Sequence, residues 1–137
     1  MKTIWIAGMA ALAMLQGCAS IGVDQMTSTG GMITSARGGG GWEETPMKQI
    51  KQRDSVVVLT HLKWDPQAGS AGNHAVKWTW YSEDKVVAIR EKEVRFDKTP
   101  MRLNWHLPAG NFDPGHYRVI VTVDNKIMDT QEYDIVR

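Results

Sequence analysis

Apolar and polar side chains alternate near the end of the chain, and this period of two is the feature that most constrains its fold. Tyr117, Val119, Val121 and Val123 occupy every second position of one segment. Successive side chains of a strand lie on opposite faces of a sheet, so such a segment packs one face on a core and leaves the other in water. The same alternation recurs at Val76, Trp78 and Trp80 and at Met101, Leu103, Trp105 and Leu107. The pattern predicts antiparallel sheets.

Turn-forming residues divide residues 54–137 into short segments. Asp65-Pro66 ends a β-branched run, and Asp124-Asn125 separates two apolar segments in the manner of a tight hairpin. No segment shows a helical period over a length that would give a stable helix. We therefore predict an all-β fold, an antiparallel β-sandwich of six or seven strands.

One predicted strand, at residues 86–96, has an internal conflict. Its two apolar ends have opposite parity, so a regular strand does not bury both, and we expect a bulge or a crossing between sheets near Lys92. Between these ends lies the charged run Arg90, Glu91, Lys92 and Glu93. Charges of this kind are typical of an edge strand. We take Arg90 and Lys92 as candidate contacts for a partner.

Two segments resemble immunoglobulin-like and fibronectin type III domains. Residues 113–119 (Asp-Pro-Gly-His-Tyr-Arg-Val) resemble the loop and first residues of strand F, where a tyrosine bonds back to the loop backbone. Tyr117 is the matching position. Residues 76–81 are similar to the strand that carries the core tryptophan, whereas the cysteine pair of antibody domains is absent. The resemblance implies a disulfide-free immunoglobulin-like sandwich and, by itself, no function.

The start of the chain has the pattern of an export signal. Lys2 is followed by an apolar or small run at residues 4–15, which is shorter than the roughly 20 residues of a membrane span. Residues 15–18 (Leu-Gln-Gly-Cys) resemble the lipobox of bacterial lipoproteins, apart from the glutamine. The resemblance implies cleavage between Gly17 and Cys18 and lipidation of Cys18. An ordinary secretory signal with an incidental cysteine is the alternative.

The lipobox reading divides the chain into three parts and gives it a location. Residues 1–17 would be the signal peptide and residues 18–53 a lipidated, flexible Gly/Ser/Thr-rich tether, ahead of the sandwich at 54–137. Acylated Cys18 would hold the protein in a lipid bilayer. By analogy with Gram-negative sorting, Ala19 after the cysteine favours the periplasmic face of the outer membrane. Trp42 in the tether is either a recognition element or an aromatic that folds back onto the domain.

Charge and cysteine content exclude several classes of protein. The chain has 16 Lys and Arg and 15 Asp and Glu. Lys2 would be lost with the signal, which leaves a formally neutral chain. A neutral domain without a basic run gives no reason to expect nucleic acid. A single cysteine also excludes an intramolecular disulfide.

Catalytic and metal-binding patterns are not found in the sequence. The four histidines, at positions 61, 74, 106 and 116, show no metal-ligand spacing. The sequence contains no activated nucleophile motif. Glu91 and Glu93 resemble the paired carboxylates of glycosidases, but their basic neighbours favour a solvated edge. We predict a protein that is not an enzyme and has no cofactor.

The leading hypothesis is a non-enzymatic envelope lipoprotein whose sandwich binds another protein. It would serve as an accessory subunit of a secretion, pilus or other envelope assembly. The alternative is a glycan or peptidoglycan binder that uses an exposed tryptophan. Trp64, beside the loop at residues 65–73, is the candidate for that role, although packing in the core or against the loop is the favoured interpretation of this residue. A metal-binding envelope protein is a third, weaker hypothesis.

Overall fold

The computed structural model describes residues 22–37, 45–68 and 71–137, which form two packed β-sheets. One sheet has the strand order β1-β3-β6 and the other β2-β8-β7-β4-β5. All neighbouring strands are antiparallel except β2 and β8, which are parallel. The strands are β1 (Thr27–Ala36), β2 (Gln49–Lys51), β3 (Ser55–Lys63), β4 (Gly72–Ser82), β5 (Lys85–Phe96), β6 (Met101–Pro108), β7 (Gly115–Val123) and β8 (Lys126–Val136). This is the predicted immunoglobulin-like antiparallel sandwich.

The predicted tether is wrong in part, because two of its segments are strands. Residues 27–36 form β1 and pair with β3 along its length, and residues 49–51 form β2 beside β8. The sandwich therefore begins well before residue 54 and has eight strands in the described part of the chain. Ile33, Ala36 and Ile50 are buried, whereas most other side chains of β1 are small or polar. β1 is held by backbone pairing rather than by an apolar period of its own.

The core contains the alternating residues that the sequence predicted. Trp78, Trp80, Val119 and Val121 are fully buried between the sheets. Trp105 was also predicted to be buried in the core. It is only half-buried, because β6 is the last strand of the smaller sheet. The core is therefore closed at its centre and open along the side where β5 and β6 end the two sheets.

The opposite side of the sandwich is closed by polar contacts from β8. Thr60 of β3 donates a hydrogen bond from Oγ1 to Asp129 Oδ2 at 3.2 Å, and Gln131 Nε2 donates to Asp129 Oδ1 at 3.0 Å. The Asp129 carboxylate lies over Gly31 of β1, which has no side chain to exclude it. These contacts join the two sheets on the β1–β8 side.

The tyrosine corner is confirmed. Tyr117 Oη donates a hydrogen bond to the carbonyl of Asp113 at 2.6 Å. Its ring packs edge-on against Phe112 and stacks on Tyr133, with centroids 5.8 and 6.0 Å away. Burial, followed by the nearby charge of Asp113, raises the pKa of Tyr117 above its ordinary value. The bond fixes the loop before β7 to the strand.

Replacing Tyr117 by phenylalanine is expected to lower the free energy of unfolding by about 1 kcal/mol, because it removes one hydrogen bond and leaves the Asp113 carbonyl unpaired. Urea unfolding measures the change as a lower midpoint at an unchanged slope. Tyr81→Phe is the control, since no described residue bonds to the Tyr81 hydroxyl. Equal midpoints for wild type and Tyr117→Phe would contradict the assigned bond.

No helix among the described residues is long and apolar enough to cross a membrane.

Candidate functional site

β5 is an edge strand, as its charged run predicted. It pairs with β4 on one side and is the last strand of the five-stranded sheet. Its five central residues, positions 89–93, are all exposed. An edge strand has backbone N–H and C=O groups directed away from the sheet, which are the groups that a further strand would bind.

The irregularity in β5 lies at Val87 rather than near Lys92. Trp80 of β4 lies opposite Ala88, and Tyr81 lies opposite Val86, so Val87 has no partner in β4. The predicted position is therefore wrong. β5 buries Phe96 at its C-terminal end. Ile89, which has the opposite parity, lies on the outer face and is 49% exposed.

The pairing register separates the charges at the centre of β5 by sign. Arg90 lies opposite Trp78, and Lys92 lies opposite Val76, so both are on the face that packs on the core. Glu91 and Glu93 lie on the outer face, since neighbouring residues of a strand alternate. Arg95 shares that outer face and pairs with Asp97. The centre of the strand, at residues 90–93, is therefore cationic on its core side and anionic on its outer side.

The core-side cations are placed by contacts along the open side of the sandwich. Lys92 Nζ lies 5.5 Å from the centroid of the Trp105 ring of β6, within range of a cation–π interaction. Trp105 in turn packs against Trp78, with centroids 5.0 Å apart. Arg90 Nη1 donates a hydrogen bond to the carbonyl of Ile89 at 2.8 Å. Tryptophan and arginine at a half-open edge are the residue types that dominate binding hot spots.

Two apolar side chains flank the charges on the outer face. Ile89 is 49% exposed, and Val86 is 44% exposed. They lie opposite Thr79 and Tyr81 of β4. The free edge of β5 therefore combines apolar contact area with a defined pattern of charge.

Trp64 is not an exposed aromatic, so the sugar-stacking interpretation of this residue is wrong. It is 5% exposed, and its ring stacks on Phe96 with centroids 5.8 Å apart. Its backbone N–H donates to Thr99 Oγ1 at 2.9 Å. Stacking on a sugar requires an open ring face, and this face is occupied by the core. Trp64 packs in the core at the end of β3.

Three of the predicted site residues lie outside the described residues. These are Gly17 and Cys18 of the lipobox and Trp42.

The buried histidine of β4 has a structural role. His74 Nδ1 lies 2.5 Å from Asp124 Oδ2, and Nε2 donates to the carbonyl of Ala71 at 2.9 Å. Asp124 Oδ1 also accepts from the backbone N–H of Ala75. Burial alone would raise the pKa of Asp124, but the hydrogen bonds from His74 and Ala75 outweigh it and lower that pKa. These bonds attach the β7–β8 turn to β4, and both ring nitrogens of His74 are committed to them.

Metal-binding groups do not converge in the described part of the chain. No set of three or more histidine, cysteine, aspartate or glutamate side chains there has the geometry to hold a metal ion.

A second histidine, His116 of β7, lies between two carboxylates on the outer face. Its Nδ1 is 2.7 Å from Asp134 Oδ1, and its Nε2 is 3.2 Å from Glu132 Oε1. The hydrogen bond to Asp134, and then that to Glu132, raise the pKa of His116 above the ordinary value of 6.5. The group is exposed, so water weakens both pairs.

The stabilisation from His116 is expected to be complete below pH 6.5 and to be lost as the pH rises through its raised folded-state pKa. An NMR titration of the ring protons should show a pKa above 6.5 in the wild type. Asp134→Asn should lower that pKa more than Glu132→Gln. The control, Asp84→Asn, should leave it unchanged. A His116 pKa unaffected by Asp134→Asn would contradict the assigned contact.

A groove of about 590 Å³ lies where β1, β2 and the end of β8 meet. Its lining includes three cations, Arg37, Lys48 and Lys51, and one carboxylate, Asp54. The sequence does not indicate this group, because Arg37 stands eleven residues before Lys48 and the three cations form no basic run. Lys51 lies on β2, at the opposite edge of the sheet from β5, and it provides a matched charge for experiments on β5.

The strand order and the tyrosine corner define an immunoglobulin-like sandwich whose β5 edge has no partner strand among the described residues. No protein-family model matches the sequence, and no curated protein is significantly similar to it.

Solved structures share the fold at low sequence identity. A β-glucosidase from Listeria innocua matches with a TM-score of 0.50 and 14% identity, over 81% of this chain and 16% of that chain. An alkylpurine DNA glycosylase from Pseudomonas fluorescens, bound to DNA containing an abasic site analog, matches with a TM-score of 0.49 and 14% identity, over 82% of this chain and 31% of that one. An immunoglobulin-like protein from Pseudomonas aeruginosa matches with a TM-score of 0.45 and 8% identity, over 81% and 96% of the two chains. The chain spans less than a third of the two enzyme chains, and these similarities concern the fold alone.

Proposed function

We propose that this protein is a lipid-anchored envelope protein that acts without catalysis, by binding another protein at the free edge of β5. The observation that carries the proposal is the exposure of residues 89–93 on a strand whose second edge has no partner strand among the described residues. Immunoglobulin-like sandwiches present such edges to extended segments of other proteins, which add to the sheet through backbone hydrogen bonds.

The charge and apolar composition of β5 support a protein partner. Arg90 on the core side of β5 and Trp105 beside Lys92 are residue types that are enriched at protein interfaces. Ile89 adds exposed apolar area on the outer face.

The anchor is the second part of the proposal and rests on the sequence. The run at residues 4–15 and the Gly17-Cys18 pair have the pattern of a lipoprotein signal. Acyl chains on Cys18 would hold the domain at the periplasmic face of the outer membrane. The protein would then serve as an accessory subunit of a secretion, pilus or other envelope assembly.

Fractionation and cross-linking of intact envelopes test both parts. A C-terminally tagged wild type should fractionate with membranes and cross-link to one protein partner. Cys18→Ser should lose incorporation of a labelled fatty acid and most of the cross-linked partner, whereas the control Ser20→Ala should behave as the wild type. A wild type that incorporates no labelled fatty acid would refute the anchor. Failure of the wild type to cross-link to any protein would refute the binding function.

A further inference from the structure

The charges at the centre of β5 are sorted by face as well as by position. Arg90 and Lys92 share the core side, whereas Glu91 and Glu93 share the outer side. Glu91 lies opposite Lys77 of β4, but no ion pair within the described residues neutralises either glutamate. The free edge therefore presents two stripes of opposite sign, one above the other.

This separation disfavours pairing of β5 with a second copy of itself. Antiparallel pairing about a two-fold axis perpendicular to the sheet keeps each face on the same side. The core-side cations of one copy would then lie beside the same cations of the other, and the glutamates beside glutamates. Like charges on the same face of neighbouring strands are destabilising. The strand is thus protected against association between copies.

The same pattern specifies a partner of opposite polarity. We infer, on the basis of the proposed function, that β5 binds an extended segment of an envelope protein whose acidic and basic residues alternate. Its Asp or Glu residues lie on the core side beside Arg90 and Lys92, and its Lys or Arg residues lie on the outer side beside Glu91 and Glu93. The alternating charges fix the register, since a shift of one residue would exchange the faces and bring like charges together.

Contacts at the open side are consistent with such an occupant. Lys92 lies over Trp105 and Arg90 reaches back to its own backbone, so both cations lie at the edge without a carboxylate partner among the described residues. A carboxylate on the core side of an added strand lies within reach of both. Cross-strand ion pairs of this type favour one register and orientation over others.

The test exchanges the two stripes without changing composition or net charge. The face-exchanged variant carries Arg90→Glu, Glu91→Arg, Lys92→Glu and Glu93→Lys in the full-length, lipidated protein. A photo-crosslinking amino acid at position 89 captures the adjacent segment in intact envelopes, and mass spectrometry of the cross-linked peptide reads its sequence. We expect the variant to capture the partner at least about tenfold less than the wild type. Lys51→Glu, at the opposite edge, should capture it normally.

Each outcome separates the inference from the proposed function. If the wild type captures a segment with alternating acidic and basic residues and the face-exchanged variant loses it, the inference is supported. If both capture the same segment equally, or if the segment lacks that alternation, the inference is overturned while the proposed binding function stands. If the wild type captures no protein from position 89, the binding function at β5 itself fails. The sequence of the captured segment remains a test even where the fourfold variant folds poorly.

Self-association gives an independent measurement. In sedimentation velocity, the wild-type protein in detergent should be monomeric. The variant with glutamine at positions 90, 91, 92 and 93 should associate more strongly, because the opposing like charges are gone. A wild-type dimer, or a glutamine variant that associates no more than the wild type, would overturn the proposed role of the stripes.

Discussion

Replacing Trp78 by alanine is expected to lower the free energy of unfolding by about 3–5 kcal/mol, the largest effect of any single side-chain truncation in this domain. Trp78 is fully buried at the centre of β4 and packs against Trp105 of the other sheet, with ring centroids 5.0 Å apart. Small domains have a total stability of about 5–15 kcal/mol, so such a loss leaves little margin. Chemical denaturation followed by circular dichroism measures it.

Two variants calibrate this result. Trp78→Phe should cost much less than Trp78→Ala, because it keeps most of the apolar volume and removes a buried indole N–H that has no partner among the described residues. Ile127→Ala should have little effect, since that side chain is 61% exposed. A Trp78→Ala protein as stable as Ile127→Ala would contradict the position of β4 at the centre of the core.

Gly31→Ala is expected to destabilise the domain by about 1–3 kcal/mol, through overpacking where the two sheets meet. A Cβ added at Gly31 would lie 2.5 Å from the carbonyl oxygen of Leu59 and in direct collision with the Asp129 carboxylate. The backbone of β3 has little room to move, because it lies between β1 and β6. Thermal unfolding of the purified domain measures the change as a lower midpoint.

Gly22→Ala is the matched control for this substitution. A Cβ at Gly22 would have no heavy atom within 4 Å, so this change should leave the midpoint almost unaltered. The comparison also tests whether residues 27–36 belong to the sandwich. In a flexible tether both substitutions would be silent, and equal midpoints would contradict the assignment of β1.

The alternation of apolar and polar residues correctly predicted the strands that have large apolar side chains at every second position. Val76, Trp78 and Trp80 in β4 and Val119 and Val121 in β7 lie in the core as predicted. Their large side chains are the main source of buried apolar area, so the sequence records their burial directly. The tyrosine corner was predictable for a similar reason, since its hydrogen bond depends on one side chain and a nearby carbonyl.

The strand at residues 27–36 was not predicted, because it is stabilised by pairing with a distant strand and not by an apolar pattern of its own. Gly30 and Gly31 interrupt any apolar period, and the strand is held by its backbone pairing with β3. A glycine in a strand often marks a close approach by another group, and Asp129 makes that approach at Gly31. The sequence contains the glycine but gives no information about the carboxylate that requires it.

The sequence predicted where the candidate site lies, but it did not predict which charges of β5 lie on which face of the sheet. The charged run indicated an edge strand, and β5 is one. Which charges share the core side depends on the unpaired residue at Val87, which is set by pairing with β4. For Trp64, the sequence favoured packing over an exposed ring because tryptophan is usually buried, and the stacking on Phe96, a contact between distant segments, agrees with this.

The central claim is that a protein segment binds at the free edge of β5, and photo-crosslinking from two positions in intact envelopes tests it most directly. Position 89 lies on β5, and position 127 lies on β8, three strands away in the same sheet and equally open to solvent. We predict one cross-linked partner from position 89 and none from position 127. Equal capture from both positions, or capture from position 127 alone, would contradict the account and place the binding surface elsewhere.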